Sequence, residues 1–163
     1  MKNLLLIIVL FLGFNTIAQD RNEKFAGYLI TEPGAYSDGF NIGAGIEYQM
    51  NYAYFGAQYF TFPDLNGKTY NHLIGTIGFN FFNRWNEYRI FLGLRAGPII
   101  NRSSALIGIG TGIDFNIPKT SLYVGADISA DYRTDAAYNN DYIGGQDKEH
   151  WVNNVGVKIG YKW

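Results

Sequence analysis

From Ala26 onward the chain alternates apolar and polar positions, and turn-like residues interrupt the alternation at intervals. The pattern predicts eight strands, near residues 24–32, 39–50, 53–62, 69–80, 88–99, 105–115, 121–132 and 151–163. In the second, Phe40, Ile42, Ala44, Ile46, Tyr48 and Met50 share one face, and Asn41, Gly43, Gly45, Glu47 and Gln49 share the other. The fifth sets Tyr88, Ile90, Leu92, Leu94 and Ala96 against Arg89, Phe91, Gly93, Arg95 and Gly97. The seventh and eighth repeat the arrangement, with Asp127 and Asp131, then Lys158 and Lys162, on the glycine-rich side. Side chains alternate across a strand, so each strand has an apolar wall and a wall of glycine and polar residues. The first strand resists assignment. Gly27 prefers the polar wall, yet both of its faces are apolar. Pro98 cannot donate to a ladder, so it should mark a rim or a bulge.

Two arrangements satisfy such walls. A soluble barrel of lipocalin type points its apolar wall inward and meets water with the other. Here that other wall is largely glycine, with Gly108, Gly110 and Gly112 in succession on the sixth strand. Facing water, each would weaken its strand by roughly 0.5–1 kcal/mol relative to Ala. Facing inward, the glycines make room for Arg95, Glu47 or Lys158 in an interior only just wide enough for side chains. Aromatics cluster at strand ends, as in the girdles of membrane barrels. Tyr48, Phe81, Tyr88, Phe115, Tyr161 and Trp163 mark one interface; Phe40, Tyr59, Tyr132 and Trp151 mark the other. Composition points the same way. Charged residues are 17%, against roughly 25% in a typical soluble domain. The preferred reading is all-β: a closed antiparallel eight-stranded transmembrane up-and-down β-barrel.

The amino-terminal segment reads differently. Lys2, the apolar run Leu4–Phe14 and the stretch Asn15-Thr16-Ile17-Ala18-Gln19 form a secretory signal peptide. Cleavage after Ala18 or after Gln19 fits. The domains are thus a signal peptide over 1–19 and a barrel over 20–163. The run is shorter than the roughly 20 apolar residues of a spanning helix. Cysteine is absent, which excludes disulfides, a catalytic thiol and a lipid-modified cysteine. Thirteen basic and fourteen acidic residues become twelve and fourteen without Lys2. Nothing in that balance favours a nucleic-acid partner.

Connections after the second, fourth and sixth strands are short; those after the first, third, fifth and seventh are longer, above all Arg133–His150. Short periplasmic turns and longer outer loops are expected when both termini are periplasmic. On these features the chain resembles the OmpA/OmpX-type, porin-like small outer-membrane barrels. The most specific element is the ending Val155-x-Val157-x-Ile159-x-Tyr161-x-Trp163. It is similar to the terminal signal such proteins present to the barrel-assembly machinery, with Tyr161 and Trp163 its aromatic residues. The resemblance implies an outer-membrane location with membrane lipid as the surrounding partner. No peptidoglycan-binding domain follows Trp163, so a cell-wall tether is not implied.

The inward wall carries Glu47, Asp114, Asp127 and Asp131 against Arg89, Arg95, Lys158 and Lys162. Four acids and four bases could line an ion path. In so narrow an interior they read instead as a structural plug of salt bridges. Glu47 and Arg95 are expected to pair, with Lys158 and Asp127 nearby. His72 and His150 fall at outer strand ends with inward parity. They suggest a metal site, or a general base beside Glu149, Ser103 or Ser104, as in outer-membrane enzymes that modify lipid A. No His-x-Ser arrangement supports that chemistry, since Leu73 and Ile74 follow His72. The last loop, with Asp135, Tyr138, Asp141, Asp147 and Glu149 among its residues, matches no EF-hand spacing. A non-enzymatic barrel without cofactor or metal is the expectation, with a structural or surface-contact role and no assigned extracellular ligand. A lipid A-modifying enzyme and a soluble ligand-binding barrel are the alternatives.

Overall fold

The computed structural model describes residues 23–31, 41–63, 69–100, 104–134 and 151–163. The predicted signal peptide, Phe40, His150 and most of the longer connections lie outside them. Eight antiparallel strands follow one another round a closed barrel: β1 (Lys24–Thr31), β2 (Ile42–Gln49), β3 (Ala53–Pro63), β4 (Thr69–Phe82), β5 (Tyr88–Ile100), β6 (Ser104–Asn116), β7 (Leu122–Arg133) and β8 (Trp151–Lys162). β1 pairs with β8, so no edge remains and every strand finds ladder partners on both sides.

The barrel is inverted relative to a water-soluble one. Leu29, Ile77, Leu94 and Ile109 are each more than half exposed on its outside, whereas Arg89 and Asp114 are fully buried within it. All the predicted outward and inward sets on β2, β5, β7 and β8 that fall among described residues keep their sides. β1 settles on Ala26, Tyr28 and Ile30 inside. Gly27 therefore faces out, against the preference expected of it. It is paired with Ile46 and Tyr161, and a Cβ there would lie 3.4 Å from the Trp163 indole, whose ring takes the space.

Register sets the heights. Following ladder partners from Lys162 through Ala26, Glu47, Gly56, Thr76, Arg95, Gly108 and Asp131 returns to β8 at Val152, ten residues from the start (162 less 152). The strands are accordingly tilted, and each row of partners climbs toward the outer end as it passes from β1 to β8. Pro98 sits in the outer part of β5, where the ladder to β4 lapses between the pairs His72↔Ile99 and Gly75↔Ala96. No extra residue is inserted, so it marks a gap in hydrogen bonding rather than a bulge.

The described turns are tight. In the β4–β5 turn Asn83 Oδ1 accepts from the amides of Glu87 (2.7 Å) and Tyr88 (3.2 Å). Asn86 there has φ 60°, a conformation Asn tolerates. In the β6–β7 turn Pro118 precedes Lys119, whose φ is 64°, and the Thr120 amide donates to the Ile117 carbonyl at 3.2 Å. A positive φ after proline is the geometry of a type II turn.

Candidate functional site: the barrel interior

The predicted lumen residues are all buried: Glu47, Arg89, Arg95, Asp114, Asp127, Asp131, Lys158 and Lys162. They do not form one network. Toward the end that carries the β4–β5 and β6–β7 turns, Arg89 donates to both Glu47 carboxylate oxygens, at 2.6 and 3.2 Å. It also meets Asp114 Oδ2 at 2.7 Å, as an ion pair rather than an aligned hydrogen bond. Lys158 Nζ reaches Asp114 Oδ1 at 2.9 Å, and Gln49 donates to Glu47 at 2.6 Å. Two acids thus face two bases. In the outer half Arg95 Nε pairs with Asp131 Oδ1 at 3.1 Å, and Asn154 donates to Asp131 at 3.1 Å.

The expected Glu47–Arg95 pair is therefore replaced by Glu47–Arg89 and Arg95–Asp131. The cause is the tilt. Glu47 and Arg95 share a ladder row, but three strand steps, each rising about ten-eighths of a residue, lift Arg95 nearly four residues above Glu47. Arg89 starts below Glu47 and reaches up to it. Two predicted members stand outside the ion pairs. Asp127 and Lys162 make none with any described residue; Lys162 donates to Asn116 Oδ1 at 2.8 Å and lies 4.8 Å from the centre of the Tyr123 ring.

Aromatic rings complete the interior. The Arg89 guanidinium lies 4.7 Å from the Phe91 ring centre and 5.5 Å from that of Tyr54. Lys158 Nζ lies 4.1 Å from Phe91 and 5.3 Å from Tyr28. Cations over ring faces are favourable, and more so when desolvated. The glycines serve these rings as much as the charges. Tyr28 occupies the space a Cβ at Gly45 would take, and Tyr123 does the same at Gly160. Lys158 runs over Gly125, with its Cε 2.8 Å from a hypothetical Cβ. Phe91 and Tyr123 lie on the polar walls of the sequence pattern, so this role was open to reading; Tyr28 and Tyr54 gave no such signal.

Arg133 is a further inward base. It is buried and paired in register with Leu106, which extends β7 one residue past its expected end. The histidine proposal finds little support among described residues. His72 is buried on β4, and on the next strands Ile99 and then Ser104 follow it in the same row. Ser104 is thus two strand spacings away, about 10 Å, with Ile99 between. His150, Ser103 and Glu149 lie outside the described residues. Amid Glu47, Gln58, Arg95, Asp127 and Lys158 lies a cavity of about 20 Å³, room for little more than a single water.

No protein-family model matches the sequence, and no curated protein does. Solved structures match the architecture. Outer membrane protein H (OprH) from P. aeruginosa superposes with a TM-score of 0.63 at 13% identity, over 86% of this chain and 99% of that one. The chain has the fold of the small outer-membrane barrels. The N-terminal β-barrel domain of Pseudomonas aeruginosa OprF matches with a TM-score of 0.57 at 15% identity, over 88% of this chain and 100% of that domain. Neisserial surface protein A gives 0.53 at 12% identity, over 87% and 96%. All three are eight-stranded outer-membrane barrels. At these identities the likeness is one of fold.

Proposed function

We propose that this chain is an integral outer-membrane barrel, non-enzymatic, with a structural or surface-contact role and a lumen closed by its ionic and aromatic filling. The observation that carries the proposal is Arg89, fully buried between Glu47 and Asp114 and lying against the adjoining rings of Tyr54 and Phe91. A hydrated ion would have to displace a guanidinium from two carboxylates, and breaking such a buried pair costs about 3–5 kcal/mol. On this reading residues 1–19 direct export, membrane lipid covers the apolar wall, and Tyr161 and Trp163 present the chain to the assembly machinery.

Two measurements test it. The protein should sediment with outer membranes and resist alkaline extraction; recovery in the soluble periplasm would remove the membrane reading. Purified and reconstituted in planar bilayers, it should give no steady open-pore current. A large stable conductance would instead make the charges an ion path.

A further inference from the structure

We infer that the periplasmic mouth of the barrel is a binding site for an anionic phosphate group. The site is built from the end of β8, the start of β1 and the β6–β7 turn. There a cavity of about 340 Å³ is lined by Lys24, Lys162, Lys119, Asn116 and Ser121, and also by Glu87. Three ammonium groups against one carboxylate leave a net positive mouth.

Lys162 is the centre of the argument. Its side chain is buried, with only 6% of the residue exposed, yet no described carboxylate pairs with it. Its Nζ has one acceptor, Asn116 Oδ1 at 2.8 Å, and the face of Tyr123. An ammonium carries three donors; with Asn116 taking one and the Tyr123 ring face another, a third has no acceptor among the described residues. The other lumen bases behave differently: Arg89, Arg95 and Lys158 each meet a carboxylate. The carboxylates that act on Lys162 from a distance, Asp114 and Glu47, are already held by Arg89 and Lys158; a buried charge without a direct partner is costly, and an anion entering from the periplasm would supply one. Lys24 has the inward parity of Ala26 and stands at the same rim. A phosphate monoanion or phosphodiester fits, offering several acceptor oxygens to donors on more than one strand.

Two sources carry that chemistry: the headgroup of a phospholipid in the facing leaflet, or soluble phosphate. The lipid source rests on the membrane reading above; the anion site itself does not. The test uses full-length protein refolded in a non-ionic maltoside detergent, titrated in parallel with short-chain phosphatidylglycerol and with inorganic phosphate. Amide and side-chain NMR shifts of Lys162, Asn116 and Tyr123 are followed. Saturable shifts with both probes establish the anion site, shifts with phosphatidylglycerol alone make the ligand a lipid headgroup, and shifts with phosphate alone make it a soluble anion. Asn116→Asp should weaken binding about tenfold or more by placing a carboxylate on Lys162. Lys162→Met should abolish the shifts. Heat-modifiable gel migration checks that each variant is folded, which keeps loss of the site apart from loss of the barrel. No response of the folded parent to either probe, or unchanged affinity in folded Asn116→Asp, overturns the inference.

Discussion

At the scale of single residues, the interior is governed by who can reach whom across a tilted wall. Arg89 is the residue on which most depends, because among the described residues it alone bridges two carboxylates, Glu47 and Asp114. Arg89→Met leaves both acids buried with a charge deficit, and should lower stability by about 3–5 kcal/mol, read as an earlier urea midpoint for unfolding from lipid vesicles. Adding Glu47→Gln should cost less than the sum of the single changes, since the second removes a charge the first had stranded. Glu47→Gln and Arg95→Met should instead couple much more weakly than Glu47→Gln and Arg89→Met, as expected for groups that do not pair directly. Strong coupling between those two would contradict the separation into two ionic clusters.

At the scale of elements, the turns and the last strand carry separable information. Lys119 holds φ 64° behind Pro118, a position where glycine or asparagine is at ease and a lysine is strained. Lys119→Gly should therefore stabilise the barrel by up to about 1 kcal/mol, seen as a later unfolding midpoint; a loss would show that Lys119 makes contacts outweighing its backbone strain. At the end of β8, Tyr161 and the following Trp163 lie on the outside and stack with ring centres 6.1 Å apart, and Trp163 lies 6.4 Å from Phe25. That cluster closes the β8–β1 seam at the aromatic belt. Truncation after Gly160 should leave export intact but prevent folding, observed as loss of heat-modifiable migration. Trp163→Phe should be nearly silent, because a phenyl ring can keep both stacks. A truncated chain that folds and inserts like the parent would remove the terminal signal.

At the scale of the whole molecule, closure and inversion follow from the same alternation. A barrel satisfies its backbone without an edge, and lipid accepts the apolar wall that water would not. Two layers of buried side chains stand inside the barrel: the Arg89 cluster toward the β4–β5 and β6–β7 turns, and Phe60, Ile74, Ile99 and Leu106 with Arg95 and Asp131 toward the opposite end. Weakening one layer should not open a path. The double variant Arg89→Met with Lys158→Met should stay free of steady current in planar bilayers despite its lower stability. A stable pore in that variant would mean that the outer layer does not seal.

The alternation of residues determined the strands and, outside β1, their two faces, and the glycines and aromatic strand ends decided which face carries the inward charges. The strands and faces are local consequences of a two-residue period, and they require no knowledge of neighbours. Strand limits such as the inclusion of Arg133 in β7 were less legible, because pairing with Leu106 extends the strand past the last clear alternation. Only the tertiary structure decided the partners. Glu47 meets Arg89 and not Arg95 because closing eight tilted strands shifts each row in height, and that shift is a property of the ladder as a whole. Gly27 was decided the same way: its side follows from pairing with Ile46 and Tyr161, which a strand apolar on both faces could not announce.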